Sequence, residues 1–408
     1  MPGICSPLLS ACLLLLAAVP CICQVPVEEW NRTYGGPHGE GAWALQQTSD
    51  GGFILAGYSA SQGRGSDLWL LKTDSDGRPV WSRTFGGSGE DAGYSVLEDE
   101  DGYVIAGSSS SYGMGEERLW LLKTDRNGSL EWDRVFGGFV SSSGDGGWAV
   151  DDTGDGYIVT GYTRSTGAGG KDLWLIRTGP EGDLIWERTF GGPRDDVGMS
   201  VSRTVDGGFI LAGRTASFGS GGDDIWLLKT DAQGREVWNR TFGGKGDDVG
   251  YSVLELQDGY IISGKTESGS GGEKVVLIRT DSQGLRRWQK VYDGSAGLFI
   301  SGTTDGGFLI CGHAEAEDGT RDALLIRTGP EGDVRWSLRP GGSRDDIGTS
   351  ALQSDKFYVV AGITSSFGSG AEDAWLIRLY AADETEAAGG QSGRGLEGLE
   401  KIFKERLG

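Results

Sequence analysis

The feature that most constrains the fold is a sequence unit repeated seven times. Seven tryptophans recur at intervals of 48–54 residues, and most of them begin a segment close to Trp-x-Arg-Thr-Phe-Gly-Gly. Each unit also has variants of Asp-Gly-Gly-Phe-Ile-Leu-Ala-Gly and Leu-Trp-Leu-Leu-Lys-Thr-Asp. Such a period predicts a repeat architecture, in which each unit buries its apolar surface against its neighbours. The recurring tryptophans are Trp30, Trp81, Trp132, Trp186, Trp238, Trp288 and Trp336.

Each unit contains four short segments with the composition of β-strands, bounded by turn residues. In the second unit these are 94–98, 103–108, 119–125 and 130–136. The dipeptides Asp101-Gly102 and Asn127-Gly128 are hairpin signals between them. Four strands in each of seven units predict an all-β fold, a seven-bladed β-propeller of four-stranded antiparallel blades.

The phase of the repeat predicts how the ring closes. The chain begins its first unit with a lone strand at 28–34, whereas the last unit, 349–379, has three strands and lacks a fourth. We therefore expect the N-terminal strand to complete the seventh blade. Closure of this kind removes exposed sheet edges, which otherwise favour aggregation. The predicted propeller domain covers 24–380.

The two ends of the chain differ from the repeat. Residues 1–23 are uncharged and include a short apolar run, which predicts a secretory signal peptide. A lipid anchor on Cys21 or Cys23 is the alternative. Residues 381–408 begin as a linker and end with apolar residues at helical spacing, which predicts a short amphipathic helix that rests on the domain or docks a partner. The predicted location is extracellular or at the cell-envelope surface.

Composition excludes several classes of function. The net charge of −22 argues against nucleic acid, because binding phosphates requires clustered Lys and Arg. Beyond the leader, no apolar run reaches the length of a transmembrane helix, and Cys311 is the one cysteine. We expect Cys311 to be a buried thiol and the chain to be a monomer. Asn31, Asn127 and Asn239 lie in N-glycosylation sequons, as in many secreted proteins.

A second motif suggests a family. Asp74-x-x-Gly77-x-x-x-Trp81 recurs around Trp132, Trp238 and Trp288. This pattern resembles the tryptophan-docking repeat of pyrroloquinoline-quinone-type propellers, as found in secreted bacterial and archaeal repeat proteins. The resemblance implies that the Gly turns the chain between the third and fourth strands and that the Trp packs between blades. It does not extend to the quinone enzymes, which have eight blades; here Lys72 and its equivalents also replace a small residue of the motif.

Each unit carries an acidic loop between the Phe-Gly-Gly segment and the next innermost strand. We expect these loops to surround the mouth of the central channel on one face, together with a second set of acids that includes Asp67, Asp172 and Asp224. Calcium, which prefers oxygen ligands, is the cofactor that such residues suggest. The alternative is structural, in which each carboxylate accepts backbone N–H groups of its glycine-rich loop. The candidate metal ligands are Glu40, Asp91, Asp145, Asp196, Asp248 and Asp346.

The sequence favours a binding function over catalysis. The units are uniform, and no catalytic constellation occurs once. The predicted function is a secreted or envelope-associated, non-catalytic binding or scaffold propeller, whose loop face meets an extracellular protein, a glycan or divalent cations. The alternative is a secreted hydrolase, lyase or cofactor-dependent enzyme with its site at the channel mouth. Its site would lie where the units differ, near His38, loop 139–147 or the shortened sixth unit.

Overall fold

The computed structural model describes residues 25–60, 65–112, 116–138, 144–269 and 271–381, and these residues form 28 β-strands. The predicted signal peptide, its cysteines and the predicted C-terminal helix lie outside the described residues. Blades 1 to 3 comprise β2 Glu40–Gln47, β3 Phe53–Ser59, β4 Asp67–Thr73, β5 Pro79–Phe85; β6 Asp91–Glu98, β7 Gly102–Ser109, β8 Arg118–Asp125, β9 Leu130–Phe136; β10 Gly146–Asp152, β11 Tyr157–Thr163, β12 Asp172–Thr178 and β13 Leu184–Phe190. Blades 4 and 5 comprise β14 Asp196–Arg203, β15 Phe209–Thr215, β16 Asp224–Thr230, β17 Glu236–Phe242; β18 Asp248–Leu256, β19 Gly259–Thr266, β20 Lys274–Asp281 and β21 Arg286–Tyr292. Blades 6 and 7 comprise β22 Ala296–Gly302, β23 Phe308–Glu315, β24 Arg321–Thr328, β25 Val334–Leu338; β26 Asp346–Ser354, β27 Phe357–Thr364, β28 Asp373–Tyr380 and β1 Val27–Tyr34.

The strands form seven four-stranded antiparallel sheets. Six of them are meanders from the innermost strand outward, and in the seventh β26, β27 and β28 are followed by β1. The innermost strand of each blade contacts the innermost strands of both neighbouring blades, so the sheets form a ring. The predicted seven-bladed β-propeller is therefore confirmed. Because every innermost strand runs in the same direction, their first residues all lie on one side of the ring, which we call the acidic-loop face.

The N-terminal strand closes the ring, as predicted. Strand β1 pairs antiparallel with β28, from Val27 opposite Tyr380 to Tyr34 opposite Ala374. A side-chain bond supports the pairing, since the indole N–H of Trp375 donates to Asn31 Oδ1 at 2.6 Å. The seventh sheet therefore contains both ends of the propeller.

The apolar core lies between blades. The third strand of each blade is the most continuously apolar, and in β12 every residue is buried. Burial on both faces explains why these strands lack the alternation of a sheet with one solvated side. In one cluster, Leu68 and Leu70 of blade 1 pack with Ile105 and Trp120 of blade 2.

The outer tryptophans dock on turns of the next blade, as the family resemblance implies. Gly77, between β4 and β5, has a φ of 74°, and a Cβ there would lie 2.7 Å from Trp30 Cη2. A side chain at this position would thus be strained and would clash with the indole. The same contact recurs at Trp81 with Gly128, Trp132 with Gly182, Trp186 with Gly234, Trp238 with Gly284 and Trp288 with Gly332.

Lys72 and its equivalents are largely buried cations that form ion pairs with more exposed turn carboxylates. Lys72 is 4% exposed, and its Nζ lies 2.9 Å from Asp50 Oδ2 in the turn between β2 and β3. Partial burial raises the pKa of Asp50, but hydrogen bonds from Thr48 and Lys72 bring it down to about 2. The departure from the family motif therefore introduces a cation that ties the third strand to the first hairpin. Related pairs join Lys123 to Asp99, Arg177 to Asp155, Lys229 to Asp206, Arg279 to Asp258 and Arg327 to Asp305.

Deletion of residues 25–36 should destabilise the whole ring and cause self-association. It removes the outer strand of blade 7 and exposes the edge of β28, a template for pairing with another chain. We expect a lower midpoint of thermal unfolding and concentration-dependent oligomers by light scattering. Glu28→Ala, an exposed change in the same strand, is the control and should leave both unchanged. A monomeric deletion variant with unaltered unfolding would contradict closure by β1.

Candidate functional site

The six predicted metal ligands lie one per blade, at or directly before the first residue of an innermost strand. All six are at most 2% exposed, although each was predicted from an acidic loop. Blade 6 has Ser295 at the corresponding position, and its hydroxyl accepts the backbone N–H of Glu315 at 3.1 Å. The acids therefore lie inside the loops of the acidic-loop face.

Each of these carboxylates accepts hydrogen bonds from the loop that enters its blade and from the end of that blade's second strand. Asp196 Oδ2 accepts the backbone N–H of Gly192 at 2.8 Å and the hydroxyl of Ser217 at 2.7 Å, and Oδ1 accepts the hydroxyl of Thr215. These bonds join the loop from the preceding blade to the end of the second strand. The backbone bond recurs from Gly36 to Glu40, Gly87 to Asp91, Gly138 to Asp145, Gly244 to Asp248 and Gly342 to Asp346.

A second acid lies beside the first in several blades. At the junction of blades 3 and 4, a Cβ on Gly191 would lie within 3 Å of both Asp172 and Asp196. The two carboxylates therefore lie on either side of this glycine. Equivalent pairs are Asp67 with Asp91, Asp224 with Asp248, and Asp373 with Glu40. At the second-to-third blade junction Arg118 takes the place of the second acid, and its Nη1 lies 3.4 Å from Asp145 Oδ2.

The pairing affects protonation of the second acid. Burial raises the pKa of Asp172 above its ordinary 3.8, and the negative charge of Asp196 raises it further. Burial and the neighbouring Asp248 likewise raise the pKa of Asp224. The sequence placed both sets of acids on one face. It did not predict that they would lie in pairs, because the pairing depends on the strand register across two blades.

The described geometry favours the structural role for these acids. Hydrogen-bond donors already occupy carboxylate oxygens that a calcium ion would need, and calcium requires six to eight oxygen ligands. Within the described ranges, no group of three or more His, Cys, Asp and Glu side chains is arranged to hold a metal ion. Calcium at these residues stays a prediction.

The innermost strands carry a different set of side chains at a bulge near the middle of each strand. Each has a register shift that leaves one residue without a partner in the neighbouring strand. Bulges of this kind redirect a side chain, and they often occur beside functional sites. These residues differ between blades, whereas the paired acids hardly vary. They are Trp43, Tyr94, Trp148, Met199, Tyr251, Leu298 and Thr349.

In blades 1 to 3 the bulged residues form an aromatic surface. The ring centroids of Trp43 and Tyr94 are 6.2 Å apart, and those of Tyr94 and Trp148 are 4.5 Å apart. Tyr58, on the second strand of blade 1, extends the group, 6.5 Å from Trp43. All four are half-buried, and Trp148 Nε1 has no hydrogen-bond partner among the described residues. We call Trp43, Tyr58, Tyr94 and Trp148 the aromatic wall.

Charged groups flank the aromatic wall. The Tyr58 hydroxyl donates to Glu372 Oε2 at 2.6 Å, and burial followed by this bond raises the pKa of Tyr58. In blade 3, the Tyr162 hydroxyl donates to Glu117 Oε2 at 2.5 Å, while Lys171 Nζ lies 3.6 Å from the centre of the Tyr162 ring. The wall thus has a polar rim that contains carboxylates and one ammonium group.

Blade 5 has a charged side chain and blade 6 an imidazole where blades 1 and 3 have tyrosines. Lys265 corresponds in register to Tyr58, and its Nζ lies 2.6 Å from Glu273 Oε1. His313 is the next equivalent; burial, then the charge of Arg321, lowers its pKa. The ring is therefore asymmetric at these positions, with aromatic side chains in blades 1 to 3 and a Lys–Glu pair in blade 5, although its scaffold is nearly symmetric.

The other sites considered from the sequence contribute little to this surface. His38 is exposed in the loop before β2, and residues 139–143 of loop 139–147 lie outside the described residues. Cys311 is a free, fully buried cysteine, and burial raises the pKa of its thiol, as expected for a core residue. Of the three sequon asparagines, Asn127 alone is classed as exposed.

Comparison with known proteins supports the fold alone. The chain is similar to the WD40 β-propeller domain of Doa1, with 13% sequence identity and a TM-score of 0.54, over 88% of this chain and 97% of that chain. It also resembles Sqt1 from Chaetomium thermophilum, with 13% identity, a TM-score of 0.49 and coverage of 91% and 87%. A third match is a protein of unknown function from Dyadobacter fermentans, with 12% identity, a TM-score of 0.48 and coverage of 88% and 99%. No model of a protein family matches the chain. No curated protein matches its sequence.

No helix in the described part of the chain is long and apolar enough to cross a membrane.

Asp196→Ala should destabilise the propeller by about 2–4 kcal/mol, because it leaves a buried N–H and two hydroxyls without an acceptor. Chemical denaturation measures this loss. Asp183→Ala is the control, since that carboxylate is 82% exposed and should contribute little. Equal stability of the two variants would contradict the structural role of Asp196.

Asp172→Asn should stabilise the protein at pH 7, because it removes one of two adjacent buried charges. The raised pKa means that the folded chain binds this proton more tightly than the unfolded chain, so protonation adds stability as the pH falls. The advantage of the variant should therefore shrink between the raised pKa and the ordinary value of 3.8. Denaturant unfolding across pH 7 to 4 measures it, with Glu181→Gln as an exposed control. An advantage independent of pH would show that the pKa of Asp172 is the same in the folded and unfolded chains, which would contradict the effect of the paired charges.

Proposed function

We propose that the chain is a secreted or envelope-associated binding module without catalytic activity. It engages an extracellular protein or glycan through the aromatic wall on the acidic-loop face. The carrying observation is the wall itself: a contiguous aromatic surface built from bulged residues that differ among otherwise uniform blades. A structural role is needed in every blade, whereas a binding surface needs to occur once.

The chemistry of the wall suits recognition. Tyr and Trp provide large, rigid contact areas with few rotatable bonds, and an indole N–H adds a directional donor. The carboxylates of Glu117 and Glu372 and the net charge of −22 favour a ligand that is neutral or positively charged.

We also propose that the chain belongs with the tryptophan-docking propellers. The support is the contact of six of the seven outer tryptophans with a turn glycine of the following blade. The turn acid supports the same geometry, since Asp74 Oδ1 accepts the backbone N–H groups of Asp76 and Arg78. A structural similarity at 13% identity leaves this assignment to the motif and its packing.

Trp43→Ala should reduce retention of the full chain on cell envelopes from its source by about tenfold or more, as expected for a central aromatic contact. Val205→Ala is the matched control, because Val205 is 95% exposed in a hairpin on the opposite face. Trp43→Phe keeps a ring and should restore much of the retention. Thermal unfolding of each variant confirms that it is folded.

Three outcomes distinguish the alternatives. Prior protease treatment of the envelopes abolishes retention if the ligand is a protein, whereas glycosidase treatment abolishes it if the ligand is a glycan. Equal retention of Trp43→Ala and the parent, or no retention at all, would overturn the proposed surface. Either result would favour the alternative of a secreted enzyme, which a screen of small substrates would test.

A chelator should leave retention unchanged, because hydrogen-bond donors occupy the carboxylates of the acidic-loop face. The measurement is the same retention assay, in calcium and then in chelator. Loss of retention on chelation, restored by calcium, would instead support calcium binding near Glu40, Asp91 and their equivalents. Replacement of Asp91 by Asn would then identify whether these acids are the ligands.

A further inference from the structure

The repeat has a second tryptophan, on the third strand, that blades 5 and 6 lack. In blade 5 its absence leaves an empty space. Five blades have a Trp on the third strand, near the acidic-loop face, whereas blade 5 has Val276 and blade 6 has Leu324. The indole packs between its own blade and the preceding one; Trp226, for example, contacts the cluster that contains Phe190. The five tryptophans are Trp69, Trp120, Trp174, Trp226 and Trp375.

In four of these blades the indole N–H has an acceptor at one register position of the outermost strand. Trp69 Nε1 donates to Ser82 Oγ at 2.7 Å, and Trp174 Nε1 donates to Glu187 Oε2 at 3.0 Å. The corresponding residue in blade 5 is Gln289, opposite Ile278 as Ser82 is opposite Leu71. The other two acceptors are Asp133 for Trp120 and Asn31 for Trp375.

A second ring is also missing from blade 5. In three blades an aromatic side chain, three residues after the end of the second strand, covers the indole; the centroids of Phe218 and Trp226 are 5.7 Å apart. Blade 5 has Gly269 at this position, and a Cβ there would meet open space. Blade 5 therefore lacks both the ring that fills the slot and the ring that covers it. The other two covering residues are Tyr112 and Phe367.

The vacant slot is a cavity of about 240 Å³. Ile225 and Phe242 line it from blade 4, and Val276 and Ile278 line it from blade 5. Polar side chains line the rest of it: Arg286 and Gln289 on the outermost strand, and Asp248, Thr266 and Ser268 on the side of the acidic-loop face. An apolar cavity of about 150 Å³ is large enough to bind benzene, so this volume is sufficient for a bicyclic ring. In blade 6, by contrast, the shortened loop occupies the slot, because a Cβ on Gly294 would lie within 3 Å of Leu324 and Val275.

We propose that the cavity beside Val276 is a binding site for a planar aromatic ring of indole size, with Gln289 as the acceptor for its N–H. The apolar walls are those that hold the tryptophan ring in other blades. Arg286 Nη1 donates to Gln289 Oε1 at 2.7 Å, which orients that oxygen and leaves it a second lone pair for the ligand. This site is distinct from the aromatic wall and does not depend on the function proposed for it.

Calorimetric titration of the full chain with indole tests the proposal. We expect saturable binding with one site per chain. Val276→Trp, which restores the residue of the other blades, should fill the slot and abolish binding. The proposal would be overturned if the parent chain showed no saturable binding. It would also be overturned if a folded Val276→Trp variant bound indole as tightly as the parent chain.

A second variant tests the polar contact and does not require the cavity to be filled. Gln289→Leu should weaken indole binding by about tenfold. It should leave binding of indene, the analogue without an N–H group, unchanged. Equal weakening of both ligands would contradict the role of Gln289 as acceptor. Thermal unfolding shows whether each variant is folded. If Val276→Trp does not fold, the comparison of indole with indene in Gln289→Leu tests whether indole binds in this cavity.

A second ligand distinguishes the source of the ring. N-acetyl-L-tryptophan amide carries the same ring on a polypeptide backbone, and Gly269 leaves the entrance open. Binding as tight as that of indole would identify the natural occupant as a tryptophan side chain of a polypeptide. Binding of indole alone would identify it as a free small molecule. Either result supports the ring site, and failure of both ligands to bind overturns it.

Discussion

The pairing of the first strand with the last is the contact on which the rest of the structure depends. No blade buries its apolar faces alone, since each third strand is covered by the blades on either side. A ring of such sheets is stable only when both ends meet, and β1 and β28 provide that junction through a full strand of pairing and the bond from Trp375 to Asn31. Trp30 then extends the junction to blade 1 by docking on Gly77.

Repetition separates structural residues from candidates for function. The outer tryptophans, the ion pairs of third-strand Lys or Arg with turn aspartates, and the loop carboxylates recur because most blades have the same turns and interfaces to stabilise. Functional specificity must then come from positions at which the blades differ. The bulged residues of the innermost strands are one such set, and the slot beside Val276 is another. Arg118 is a third departure, which replaces a paired carboxylate by a cation next to Asp145.

Much of the fold could be predicted because the periodic signal is strong. The four strands of the second unit and the N-terminal strand at 28–34 were predicted to within three residues of β6–β9 and β1. The candidate site was harder to predict. Glu40 and Asp91 were identified as aligned acids, but their burial and their donors depend on loops contributed by neighbouring strands. The aromatic wall was not predicted, because Trp43, Tyr94 and Trp148 are about 50 residues apart and become adjacent through the bulges.

The number of blades, their strands and the way in which the ring closes could be read from the chain alone, since these follow from local patterns and from the phase of the repeat. Tertiary structure decided which equivalent positions meet and which are left vacant. The distance between two carboxylates, the contact of three aromatic rings and the space left by Val276 each depend on two blades packed together. Such properties are absent from any single unit, because they arise from the register and separation of neighbouring sheets.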